Sequence, residues 1–153
     1  MLFCGIDIAK RQHAIALLDG KGQLVQPILS IPNDRAGFDQ LIQALPDPDA
    51  VAVGLEATGH YWVALYDALT RQGFSVVVLN PLQVAAYRRS GVRKVKSDRS
   101  DAVWIADFLR IANPSPTRQD LPVLLQLREL SRFRFRLTDQ IGDIKRKLLT
   151  ILD

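Results

Sequence analysis

The sequence predicts an α/β fold, a mixed five-stranded sheet with flanking helices, followed by one long C-terminal helix. Three observations carry this expectation. The chain opens with three apolar segments joined by short turns, the order of an antiparallel meander. Buried-strand and helical patterns then alternate, as they do where strands run parallel. From Leu121 onward the apolar residues change to a heptad spacing.

Residues 2–8, LFCGIDI, read as the first strand, and residues 13–19, HAIALLD, as the second. DGKG at 19–22 is a hairpin signal. QLVQPILSI (23–31) gives a third strand, with Pro27 assigning it to an edge or a bulge. Asn33 or Asp34 can cap a helix over 35–45, where Phe38, Leu41, Ile42 and Leu45 recur at helical spacing. PDPD ends that helix, and AVAVGLE (50–56) is a buried-type strand. A helix over about 60–72 stops at Gly73, and FSVVVLN (74–80) forms the fifth strand, ended by Pro81. The chain then turns basic in YRRSGVRKVK (87–96). A further helix is expected over 98–112, with Val103, Ile105, Ala106 and Leu109 on its buried side. NPSPTRQ (113–119) is a loop and linker, so the chain divides into a domain over 1–113 and a long helix over 119–153.

With Leu127 at heptad position a, the a and d positions are Val123, Leu127, Leu130, Arg134, Leu137, Ile141, Ile144, Leu148 and Ile151. Only Arg134 breaks this apolar seam. A helix of ~30 residues is ~45 Å long, more than so small a domain can cover. The expected occupant of the seam is a partner helix, giving a homo-oligomeric coiled coil that continues beyond Asp153. An amphipathic helix lying on its own domain is the alternative.

The composition is that of a globular protein with a real core. One cysteine, Cys4, precludes an internal disulfide and reads as a small buried residue. No apolar run reaches the ~20 residues of a membrane span, and no secretory signal is evident. A reducing, cytoplasmic setting follows. The net charge of +4 hides an asymmetry. Residues 1–85 carry five Lys/Arg against eight Asp/Glu, and residues 86–153 carry fifteen against eight. A basic C-terminal half suggests a polyanionic partner.

The chemistry is carried by carboxylates. Asp7 ends the first strand and Glu56 the fourth, and both strand ends would open at the sheet edge where α/β sites form. Asp98 and Asp101, in KSDRSDA, sit three apart, on one face if helical. Each has an ordinary reading alone: a turn residue, a buried ion pair, a helix cap. Together, four carboxylates from three segments can converge. Such a set suits Mg²⁺, with Mn²⁺ as substitute, because that ion takes a few carboxylates and completes its shell with substrate phosphate. Paired ions of this kind serve phosphodiester chemistry.

In GIDIAK, GLEATGHYW and KSDRSDA, taken in this order and spacing, the chain resembles the DEDD-type transposases of insertion sequences, a group that includes the Piv-like DNA invertases. The resemblance runs the length of the chain. It implies an RNase H-like (RuvC-like) domain in which Asp7, Glu56, Asp98 and Asp101 are the catalytic, metal-binding residues. It also implies Mg²⁺-dependent cleavage and joining of DNA strands, guided by an RNA transcribed from the element, in a prokaryotic, nucleoid-associated setting. Full family members continue into a domain that supplies a nucleophilic serine. Ser90, Ser97, Ser100 and Ser131 do not match that motif, so the chain is expected to hold the metal half of a composite site.

Nucleic-acid contacts are expected from Lys10, Arg88, Arg89, Arg93, Lys94 and Lys96, and from Arg128, Arg132 and Arg136, which form one stripe at i, i+4, i+8. Solvated charge is the plain alternative for each. Thr58 and His60 follow Glu56 and are candidates for supporting the ligands or touching DNA. Two other functions fit parts of the pattern. An actin-like ATPase or sugar-kinase fragment shares the opening strand and hairpin but lacks the Gly-rich phosphate loops. A non-catalytic nucleic-acid-binding and dimerisation module leaves the four carboxylates unexplained.

Overall fold

Five strands form the sheet: β1 (Leu2–Asp7), β2 (Gln12–Leu18), β3 (Leu29–Pro32), β4 (Val51–Glu56) and β5 (Ser75–Leu79). Their order across it is β3-β2-β1-β4-β5. The first three are antiparallel neighbours, whereas β4 and β5 run parallel to β1. The sheet is thus mixed, as the sequence predicts. The computed structural model describes residues 1–57, 59–90, 101–117 and 121–152. By internal contacts the chain divides into Met1–Thr117 and Arg118–Asp153.

The hairpin turn after β2 forms as expected. The Asp19 carboxylate accepts from the Lys21 and Gln23 N–H groups, both at 2.9 Å. Gly22 takes φ 80°, open to glycine without strain. The third strand is shorter than the sequence reading. Leu24 bridges Leu18 and the Val25 N–H donates to Leu17, but the regular ladder starts only at Leu29. Pro27 lies in the gap, and a residue without an N–H cannot extend a ladder.

Among the described residues four α-helices accompany the sheet, α1 (Arg35–Ala44), α2 (Trp62–Arg71), α3 (Pro81–Ser90) and α4 (Asp101–Ala112), with one short 3-10 turn at Pro48–Ala50. Asp34 caps α1, accepting from the Gly37 N–H at 2.9 Å. The helix α3 was not expected from the basic run at 87–96. Its start is written locally: Asn80 Oδ1 accepts from the Leu82 N–H at 2.9 Å, and Pro81 takes the first helical position.

The helix α4 covers one face of the sheet, and it decides where the site lies. In register across the strands, Gly5 stands beside Ala16 on β2 and Gly54 on β4, and Asp7 stands beside Ala14. Residues two apart share a face. Small side chains therefore make a shallow floor, and α4 sinks into it. A Cβ added at Gly5 would lie 2.1 Å from the Ala102 carbonyl oxygen, and one at Gly54 would lie 2.5 Å from Leu109 Cδ1. Ala102, Val103 and Ala106 pack on Ala16 and Leu18, while Ile105 and Leu109 pack on Val77, Leu79 and Val84. By alternation Cys4, Ile6, Val53 and Leu55 face the other side, all buried. Burial pushes the Cys4 thiol up to about 12, so it behaves as an inert apolar group.

Beyond α4 the chain returns along the outer edge of β5. The Thr117 N–H donates to Val76 at 2.9 Å, and its hydroxyl accepts from the Val78 N–H at 2.7 Å. Tyr66 donates to the Thr117 carbonyl at 3.1 Å. One threonine thus satisfies part of an otherwise open sheet edge.

The second unit is the single helix α5 (Leu121–Leu152). The apolar seam residues are all at least 43% exposed, from Val123 to Ile151. Among the described residues no helix is long and apolar enough to cross a membrane.

Candidate active site

Asp7 is the last residue of β1 and Glu56 the last of β4. The register pairs Ile6 with Leu55, so the two carboxylates end neighbouring parallel strands. Each lies two residues after the glycine on which α4 is seated, and so on the face that α4 covers. Asp101 is the first residue of α4, one position before the Ala102 that overlies Gly5. Sheet register and the close seating of one helix thus bring together three of the four predicted carboxylates. Asp98, the fourth, lies outside the described residues.

The electrostatics report the same convergence. Burial raises the Asp7 pKa above the ordinary carboxylate value, and the charges of Asp101 and then Glu56 raise it further. Arg88 acts in the opposite sense. Its guanidinium forms an ion pair with Asp101 Oδ1 at 3.0 Å, with both side chains partly exposed. Asp7, with two further carboxylates acting on it, sits where a cation would be favoured. Oxygen donors of this type match Mg²⁺ or Mn²⁺ and poorly match softer ions. Among the described residues no group of three His, Cys, Asp or Glu side chains is placed to hold a metal ion. Asp101 is instead engaged with Arg88.

Arg88 is placed by the residue beside it. Tyr87 packs edge-on against Trp104 and Phe108 of α4, with ring centroids 6.2 and 5.4 Å apart. Its hydroxyl donates to Asp107 Oδ2 at 2.9 Å, and Arg110 holds Asp107 Oδ1 at 2.7 and 3.0 Å. This network fastens α3 to α4. Sequence reasoning missed it, and missed the two seating glycines. A signal for the glycines was present: Gly5 and Gly54 each precede an acidic residue by two positions, and glycine inside a strand marks close approach of another element.

The other predicted residues scatter. Lys10 is exposed in the turn after β1, where its carbonyl accepts from Asn33 Nδ2 at 3.2 Å. Buried His13 braces that turn, its Nδ1 accepting from the Ala9 N–H at 3.2 Å. His60 is exposed with its ring against Tyr61, centroids 4.4 Å apart. Arg89 is exposed and donates to the Ala85 carbonyl at 3.3 Å. Thr58, Arg93, Lys94 and Lys96 lie outside the described residues. On α5, Arg128, Ser131, Arg132, Phe135 and Arg136 line one shallow groove, and Arg132 pairs with Glu129 at 3.2 Å.

Known proteins give the geometry its context. The backbone is similar to two structures of Thermus thermophilus RuvC, one of them in complex with a Holliday junction substrate. The TM-scores are 0.52 and 0.53 at 17% and 15% identity, with the match covering 76% of this chain and 100% and 99% of those chains. At such identity the likeness is one of fold. In sequence, 115 residues are 36% identical to the mini-circle transposase protein for IS117 of *Streptomyces coelicolor*, covering 71% of this chain and 27% of that protein. The pilin gene-inverting proteins of *Moraxella lacunata* and *Moraxella bovis* are 29% identical over 137 residues, covering 83% of this chain and 42% of each of them. The chain thus spans well under half the length of these relatives. Residues 4–153 match the transposase family of the DEDD, IS110 type, and over nearly its whole length this chain belongs to that family.

Proposed function

We propose that this chain is the metal-dependent catalytic domain of a DNA transposase or recombinase, which cleaves and joins DNA strands in a prokaryotic cytoplasm. The observation that carries the reading is the convergence of Asp7, Glu56 and Asp101 on the α4 face of the sheet. With Asp98 they form the proposed set that holds Mg²⁺. When bound, such ions activate an attacking oxygen and stabilise a leaving one. The chain's own groups do the rest. Asp101 stands in the first turn of α4, at the helix end that carries partial positive charge. Arg88 and Arg89, in the last turn of α3, offer cations for strand phosphates beside the carboxylates.

The serine nucleophile belongs, in this reading, to a further domain, so that the 153 residues hold half of a composite site. The exposed seam of α5 is proposed to pair with the same helix of a second copy. The arginine stripe on α5 is proposed to bind nucleic acid, including an RNA guide. Exposed Phe135 in that groove adds a surface on which a base can stack.

The test is calorimetric titration with Mn²⁺ and Mg²⁺, with and without a short DNA duplex. The parent chain is compared with Asp7→Ala and Asp101→Ala. Saturable binding that both substitutions abolish supports the reading. Binding that neither substitution changes would leave only a nucleic-acid-binding module.

A further inference from the structure

Arg88 was expected to be one of several solvated cations meeting a nucleic-acid backbone. Its position is different. The guanidinium is bound to Asp101 at 3.0 Å, and its charge also offsets the repulsion felt at Asp7. It is held there from one residue away, since Tyr87 is packed between Trp104 and Phe108 and hydrogen-bonded to Asp107. A surface arginine ordinarily loses side-chain freedom for little return in an exposed ion pair. Here the backbone beneath it is already ordered by Tyr87, so less freedom remains to be lost.

We propose that Arg88 is the resident counter-ion of the acidic cluster, holding Asp101 until a divalent ion arrives and then moving to a phosphate of the bound strand. The inference rests on the metal-site reading above. Physically, a guanidinium and a divalent ion compete for the same carboxylate oxygens. Carboxylates that repel one another need some cation to stay together before metal loading. Arg suits the exchange because its planar donor fork fits carboxylate and phosphate equally well. The pair is also partly exposed, and such pairs are weak enough to be displaced.

Removing the competitor should tighten ion binding. In Arg88→Gln, Mn²⁺ affinity measured by calorimetry without DNA is expected to rise about two- to fivefold, the range set by a partly exposed ion pair. Arg88→Lys, which keeps the charge, is expected to stay near the parent. With metal present, Arg88→Gln is expected to bind a DNA duplex more weakly, with the slope of log affinity against log salt reduced by about one phosphate contact. Far-UV circular dichroism verifies that each variant is folded. A brace that only supported the fold would lower the melting temperature and loosen Mn²⁺ in Arg88→Gln, and that result overturns the proposal, as does unchanged Mn²⁺ affinity. Asp7→Asn is measured in parallel. If it binds Mn²⁺ like the parent, the metal-site reading itself fails, whatever Arg88 does.

Discussion

Substituting alanine for Gly5 tests whether the seating of α4 is what assembles the site. The added Cβ would stand 2.1 Å from the Ala102 carbonyl oxygen and 2.4 Å from the Ala106 nitrogen, where ordinary contact begins at 3.4 Å. Both obstacles are backbone, so no rotamer change relieves them, and α4 must rise by about 1.3 Å. Overpacking of this kind costs about 1–3 kcal/mol. We predict the upper part of that range, a fall of about 8–12 °C in melting temperature at roughly 4 °C per kcal/mol for a body of this size. The same lift moves Asp101 away from Asp7 and Glu56. Errors near 1 Å in a catalytic constellation cost on the order of 10²-fold, so Mn²⁺ affinity should fall by at least tenfold. Gly54→Ala provides the contrast. There the nearest atoms, at 2.5–2.9 Å, belong to the Leu109 side chain, which can turn aside. A loss of about 1 kcal/mol is expected, with metal binding nearly kept. Thermal melts and calorimetry on both variants decide the matter. If Gly5→Ala melts and binds Mn²⁺ like the parent, or proves milder than Gly54→Ala, close seating of α4 does not position Asp101.

Further outcomes are expected elsewhere in the chain. Asp7 has a raised folded-state pKa, so the native state holds its proton more tightly than the unfolded chain, and stability from this group falls as pH rises through that window. Asp7→Asn, measured in chelator, should therefore melt higher than the parent at pH 7, with the gain vanishing below pH of about 3.9; a lower melting temperature at pH 7 would refute the assigned repulsion. The triple change Arg128→Ala, Arg132→Ala and Arg136→Ala should lower nucleic-acid affinity and reduce the slope of log affinity against log salt by about 2–3; an unchanged slope in anisotropy titrations would mean that the stripe is only solvated charge. Ile141 is 53% exposed in the seam. Ile141→Asp should reduce the sedimenting mass to that of one chain while leaving the melting of residues 1–117 in place, and an unchanged mass would refute pairing through this face.

Much of this protein is legible in its sequence because the signals are local. Short apolar runs mark β1, β2, β4 and β5, Asp34 announces α1, and DGKG announces the first hairpin. Asp7 and Glu56 could be read as carboxylates at strand ends because each follows an apolar run. The third strand was read too long because apolar content persists through a region where Pro27 withholds the N–H that the ladder needs. The helix α3 was passed over because its cations masked the Asn80–Pro81 start. Tertiary structure alone decided the rest. Only sheet register sets Gly5 beside Gly54, and only that paired gap lets α4 descend until Asp101 stands over the ends of β1 and β4. Only the docking of Tyr87 onto α4 turns Arg88 from a free surface cation into the partner of Asp101. Propensity and periodicity act between near neighbours along the chain, whereas steric fit and Coulomb attraction act between whichever residues the fold makes neighbours in space.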